Sequence, residues 1–159
     1  MRWILLVIFF ASGLLGQTRD TGKEIYNPDL DVKQAIQHAL ERAQETNKHI
    51  LLMFGGNWCP WCHKLHQLLL TNETLNEFLN ENYILIMIDV GEKDTGPINR
   101  DLLKKYRVDG FGFPALAVLS VKGELLASQS TGVLESGKGH DYERVMGFLK
   151  ANAPSSEKK

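Results

Sequence analysis

Cys59 and Cys62 are the only cysteines in this 159-residue chain, and they stand at the spacing Cys-x-x-Cys. The chemistry open to such a pair is reversible disulfide formation. Residues 50–54, Ile-Leu-Leu-Met-Phe, form a continuous apolar run just before the pair and read as a buried strand. Residues 64–70 can continue as a helix. The pair therefore falls at a strand-to-helix junction, with Cys59 at the helix N-terminus. Unpaired backbone N–H groups and the helix dipole favour an anion there, so Cys59 should lose its proton more readily than a free thiol. Cys62, one turn on, can reach back and close a disulfide.

The same residues admit three other readings. Cys59-Pro60-Trp61-Cys62-His63 also satisfies Cys-x-x-Cys-His, the c-type haem attachment pattern, with His63 as axial ligand. Against it, the motif interrupts an α/β pattern, and a buried strand rather than a haem-lining helix precedes it. Cys59, Cys62, His63 and His66 are zinc-type ligands, but a structural zinc site usually joins two separated ligand pairs. No metal is therefore expected, and no cofactor beyond the redox-active disulfide. Finally, the pair could be a structural disulfide in a binding or chaperone module, because a fold does not guarantee catalysis. His38, His49 and His140 belong to no motif, and no phosphate loop or Ser-His-Asp arrangement can be argued.

The charge balance, 18 basic against 19 acidic residues, excludes a strong field toward nucleic acid or an anionic membrane. At the N-terminus, Arg2 precedes an apolar run over 3–15 that is short for the roughly 20 residues of a spanning helix. It reads as a secretory signal, with small residues Ala11, Ser12, Gly13 and Gly16 available for cleavage. The expected organisation is a signal peptide over 1–16, an N-terminal extension over 17–30, a single domain over 31–151 and a disordered tail over 152–159. Export would place the cysteines in an oxidising compartment, the periplasm first, with secreted or membrane-anchored forms as alternatives.

The elements that must hold the pair follow from periodicity. Asp31 can cap a helix whose apolar face is Val32, Ala35, Ile36, Ala39, Leu40 and Ala43. A strand over 49–54, the cysteine helix and a short helical stretch over 74–80 follow. Residues 83–90 form a second apolar strand, suited to a central position covered on both faces. A helix over 98–106, a strand over 113–119, a turn at Lys122-Gly123, a strand over 124–129, a loop over 132–139 and a helix over 141–151 complete the order. Alternation first and a hairpin last imply an α/β fold, a mixed sheet with helices on both faces.

The block from Trp58 to Lys64, the strand before it and the later Gly112-Phe113-Pro114-Ala115 together resemble the thioredoxin-fold superfamily. Within it the chain is most similar to exported thioredoxin-like proteins and to the thioredoxin domain of bacterial thiol:disulfide interchange proteins. The resemblance covers residues 31–151 and implies a thioredoxin-like fold with a central mixed β-sheet. It implies that Pro114 is cis and faces the disulfide, with Phe113 beside Cys59 and backbone available to an extended substrate segment. It also implies thiol:disulfide exchange on exported proteins, with Cys59 forming a mixed disulfide and Cys62 resolving it. Trp58, Pro60 and Trp61 would border the sulfur.

Two departures from the family pattern stand out. Thioredoxins usually carry a buried carboxylate six residues before the first cysteine, and here that position is Met53. His63 or Lys64 could tune the pair instead. The intervening dipeptide is Pro60-Trp61, neither the Gly-Pro of reducing thioredoxins nor a histidine-containing oxidant motif. The resemblance favours reductase or interchange activity over oxidase activity. The implied partners are protein thiols or disulfides and a separate, for instance membrane-bound, redox protein.

Overall fold

A computed structural model describes residues 24–93 and 98–155. The expected signal peptide, the start of the extension and the last four residues of the tail lie outside the described residues. Four strands form one sheet in the order β2-β1-β3-β4: β1 (His49–Gly55), β2 (Tyr83–Asp89), β3 (Ala115–Leu119) and β4 (Leu125–Ser130). β1 runs parallel to β2 and antiparallel to β3, and β3 pairs antiparallel with β4, so the sheet is mixed as expected. The apolar run of β2 does not make it central: β2 lies at the edge of the described sheet, paired with β1 alone, and Ile84, Leu85 and Met87 are only partly buried.

Alternation along β1 creates two cores. Ile50, Leu52 and Phe54 face one side, where they meet Val32, Ile36, Ala39 and Ala43 of α1 (Val32–Thr46) and Leu102 and Leu103 of α4 (Arg100–Lys105). Leu51 and Met53 face the other side. There they meet Cys62, Leu65 and Leu69 of α2 (Pro60–Thr71), Leu75 and Leu79 of α3 (Glu73–Asn82), and Val145, Met146 and Leu149 of α5 (Tyr142–Ala151). The helices start where the capping chemistry lies. Asp31 accepts a hydrogen bond from the Gln34 N–H at 3.0 Å, and Asn72 and Asp141 cap α3 and α5 in the same way. Among the described residues no helix is long and apolar enough to cross a membrane.

Five further features differ from expectation. The folded body begins before residue 31, because Ile25 and Tyr26 of the expected extension pack into the second core, with Tyr26 fully buried. It also runs past 151: Ala153 packs on the same core, and the His49 ring Nδ1 lies 2.8 Å from the Asn152 carbonyl oxygen. The third strand starts at Ala115 rather than 113, since Pro114 has no N–H to give the ladder. The expected loop over 132–139 is ordered as a 3-10 turn, Thr131–Leu134, and a small hairpin of β5 (Glu135–Ser136) and β6 (Gly139–His140). Gly137 sits at its tip with φ 59°, a left-handed conformation that suits glycine. The helix expected over 98–106 is shorter, Arg100–Lys105, because Asn99 adopts a left-handed conformation at its start.

Candidate active site

β1 ends at Gly55, and a tight loop of Gly56, Asn57 and Trp58 delivers Cys59 to the first turn of α2. Cys59 is the N-cap residue. It has extended backbone, its Sγ accepts from the Cys62 N–H at 3.1 Å, and Pro60 occupies the first helical position, where a missing N–H costs nothing. Cys59 and Cys62 are joined in a disulfide with a Cα–Cα separation of 5.2 Å. Cys62 is 0% exposed and Cys59 3%, so only the first cysteine has any access to solvent.

The second cysteine-facing element comes from the neighbouring strand, because β3 runs antiparallel to β1 and its first residue, Ala115, pairs with Phe54 near the end of β1. The Phe113–Pro114 peptide is cis and leads into β3. The Phe113 carbonyl oxygen lies 3.5 Å from the Cys59 Sγ. In the disulfide that sulfur carries no proton, so this is a contact that could become a hydrogen bond only with a Cys59 thiol. Thr131 is buried and donates its hydroxyl to the Pro114 carbonyl at 2.5 Å, holding this turn from the far side. Beside Phe113 lies a cavity of about 320 Å³ with Leu103, Val108 and Phe111 among its walls.

Of the remaining expected site residues, each is engaged in its own way. Trp58 is tied down rather than standing free at the rim: its indole N–H donates to the Gly91 carbonyl at 2.6 Å, and its ring meets Phe113 edge-on at 6.2 Å. Trp61 is half-buried, with the Lys64 Nζ 4.1 Å above its ring and His140 edge-on at 5.5 Å. His63 places Nε2 2.8 Å from the Asn57 carbonyl oxygen, so that nitrogen carries the proton and donates. His63 and Lys64 are thus held by a backbone carbonyl and an indole face. Met53 is buried in the same core as Cys62, and β1 offers this face only Leu51 and Met53. Among the described residues no group of three or more His, Cys, Asp or Glu could hold a metal ion.

Three residues at the site carry no motif signal. Asn57 clamps the N-terminal segment to the cysteine loop. Its Oδ1 accepts from the Ile25 and Tyr26 N–H groups and its Nδ2 donates to the Tyr26 carbonyl, each at 2.9 Å. Tyr26 is thereby inserted beneath α2. Gly55 lets it in: a Cβ there would meet the Tyr26 hydroxyl and lie 2.5 Å from the Cys62 Sγ. An Ile-Tyr pair in an otherwise polar leader is the one sequence feature that could have drawn attention to this segment.

His140 gives the site edge a pH dependence. Both its ring nitrogens are buried and, among the described residues, without a hydrogen-bond partner, and burial, then the charge of Lys64, lowers its pKa below the usual 6.5. The unfolded chain therefore takes up this proton more readily than the folded one. The resulting stability is complete above pH 6.5 and is lost as the pH falls through the lower, folded-state value. We expect the melting temperature to drop on acidification below pH 6.5 and the His140→Phe variant to lose part of that slope. An identical acid slope in the variant would assign the effect elsewhere.

Comparison with known proteins agrees with this geometry. The family described as "Thioredoxin-like domain" matches residues 36–145. Disulfide bond reductase DsbH of Chlamydia pneumoniae is 29% identical over 124 residues, covering 74% of this chain and 72% of that protein. Mouse Spermatogenesis-associated protein 20 is 38% identical over 68 residues, 43% of this chain, and the chain spans only 8% of that protein's length. A solved structure of a disulphide isomerase from Xylella fastidiosa Temecula1 superposes with a TM-score of 0.69 at 26% identity, covering 80% of this chain and 95% of that one.

Proposed function

We propose that this chain, which belongs to the thioredoxin-like domain family, is a thiol:disulfide oxidoreductase of exported proteins that works through the dithiol of Cys59 and Cys62. The observation that carries this reading is the disulfide at the N-terminus of α2 with the Phe113–Pro114 turn against its outer sulfur. Reduction frees Cys59 as a thiolate, stabilised by the Cys62 N–H and the helix dipole. That thiolate attacks a substrate disulfide, and a mixed disulfide forms on Cys59. Cys62, buried one turn below, attacks the Cys59 sulfur and expels the second substrate thiolate. The cis turn borders the reacting sulfur, and an extended substrate segment would lie along its backbone beside Cys59.

A merely structural role accounts poorly for this placement. A disulfide closing so short a loop restrains the unfolded chain by only about 2 kcal/mol, against roughly 5 kcal/mol for a loop of about a hundred residues. The direction we favour is reduction or interchange, in line with the reductase name of the Chlamydia relative. We place the protein outside the cytosol, on the strength of the apolar run over 3–15. Its electrons would then come from a separate redox protein.

Equilibration of the purified chain with glutathione buffers tests the reading. The pair should titrate reversibly as one two-electron couple at a potential in the reducing part of the family range, toward about −270 mV. A value near about −120 mV would reverse the direction and make it an oxidant. A pair that never exchanges with glutathione would sink the enzyme reading altogether.

A further inference from the structure

Among the described residues no group satisfies the Tyr26 hydroxyl, a buried polar group beside the Cys62 sulfur. Tyr26 is 1% exposed, and its hydroxyl has no hydrogen-bond partner. An unpaired buried hydroxyl is costly, and native structures seldom keep one without a reason. Its position supplies the reason. The hydroxyl oxygen and the Cys62 Sγ both lie within 2.5 Å of the point where a Gly55 Cβ would stand. The two atoms are therefore within twice that distance of each other. The neighbouring strand positions facing this core, Leu51 and Met53, are apolar, and the thioether of Met53 is a far weaker acceptor than a thiolate. A disulfide sulfur is a poor acceptor, whereas a thiolate is a strong one. The hydroxyl is thus without a partner in the oxidised state, and its neighbour the Cys62 sulfur becomes a strong acceptor once the disulfide opens.

We propose that Tyr26 is the hydrogen-bond donor to the Cys62 sulfur when the disulfide is open, stabilising the thiolate that resolves the mixed disulfide. The proposal rests on the oxidoreductase reading and adds a residue to it. In the step concerned, the bond between the Cys59 sulfur and the substrate sulfur breaks and the Cys59–Cys62 bond forms. The protein dithiol gives up two electrons over the full reaction and the substrate disulfide gains them. The proton that Cys62 loses passes through solvent to the departing substrate thiolate. Tyr26 keeps its own proton throughout. Burial, and next the negative charge of Asp89, push its phenol well above the usual range, so it remains a donor at any working pH. Asn57 holds it in place through three hydrogen bonds to the backbone of residues 25 and 26.

Stopped-flow reaction of the reduced full chain with 5,5′-dithiobis(2-nitrobenzoate) separates the two sulfur attacks. The first nitrothiobenzoate released reports attack by Cys59, and the second reports resolution by Cys62. Tyr26→Phe keeps the ring and removes only the hydroxyl. It should slow the second release about tenfold, the weight of one hydrogen bond to a charged group, while leaving the first unchanged. The oxidised variant should melt no lower than the wild type, since the hydroxyl has no partner in that state. Tyr26→Leu should slow the second release to the same degree. Were the Leu variant slowed and the Phe variant not, ring packing would be responsible and the proposal would be overturned. A Phe variant that resolves at the wild-type rate overturns it as well, leaving the oxidoreductase reading intact. A wild-type chain that releases no second nitrothiobenzoate removes both.

Discussion

Replacement of Cys59 by serine is expected to reduce disulfide exchange to the uncatalysed background, whereas replacement of Cys62 should leave the first attack intact and stop the second. The asymmetry follows from exposure and position. Cys59 is the N-cap of α2, its sulfur is met by the Cys62 N–H at 3.1 Å, and it alone of the pair has access to solvent. A serine hydroxyl there stays protonated and is a far weaker nucleophile than a thiolate. Cys62 is completely buried, so without it a substrate held on Cys59 has no internal thiol to release it. Intact-mass measurement after incubation with glutathione disulfide should show one glutathione on nearly every Cys62→Ser chain. The Cys59→Ser chain should remain unmodified. Glutathione on Cys62 at an equal rate would mean that the roles of the two sulfurs are reversed, and full activity in both variants would remove the dithiol mechanism.

The second large effect concerns a residue with no reactive group. Asn57→Ala removes the acceptor for two backbone N–H groups and the donor to one carbonyl, all in the partly buried contact between residues 25–26 and the cysteine loop. At about 1 kcal/mol per hydrogen bond the loss is about 3 kcal/mol. For a domain of this size that lowers the melting temperature by roughly 10 °C. The segment carrying Tyr26 should detach first, so limited proteolysis should cut near residues 24–30 before the sheet unfolds. Asn57→Asp keeps both acceptor contacts but turns a carboxylate oxygen toward the Tyr26 carbonyl, so it should fall between the two. An alanine variant that melts with the wild type and resists proteolysis would show that packing of Tyr26 alone retains the segment.

Local signals account for much of this molecule. The apolar run at 50–54 reads as a covered strand, and residues 64–70 can continue as a helix, because hydrophobic pattern and run length act locally. Asp31, Asn72 and Asp141 are capping residues standing where the helices begin. These short-range rules place Cys59 and Cys62 at a strand-to-helix junction, and a mixed sheet with helices on both faces follows from the order of elements. The resemblance also pointed to Phe113 and Pro114 beside the disulfide, and the structure puts the Phe113 carbonyl 3.5 Å from the Cys59 sulfur.

Other features depend on contacts between residues far apart in the chain. Tyr26 precedes any recognisable motif, and its value lies in reaching across the missing side chain of Gly55 to Cys62. Asn57 is an ordinary loop residue until the segment 31 residues before it supplies its partners. Trp58 and His63 sit inside the motif, yet their hydrogen bonds to Gly91 and Asn57 turn them to holding the loop. Residue type and spacing alone therefore specify the cysteine pair and the elements that carry it, since the forces involved act within a strand or a turn. What surrounds the buried sulfur was decided only by tertiary packing, which brings an N-terminal tyrosine, a strand-end glycine and a loop asparagine to one place.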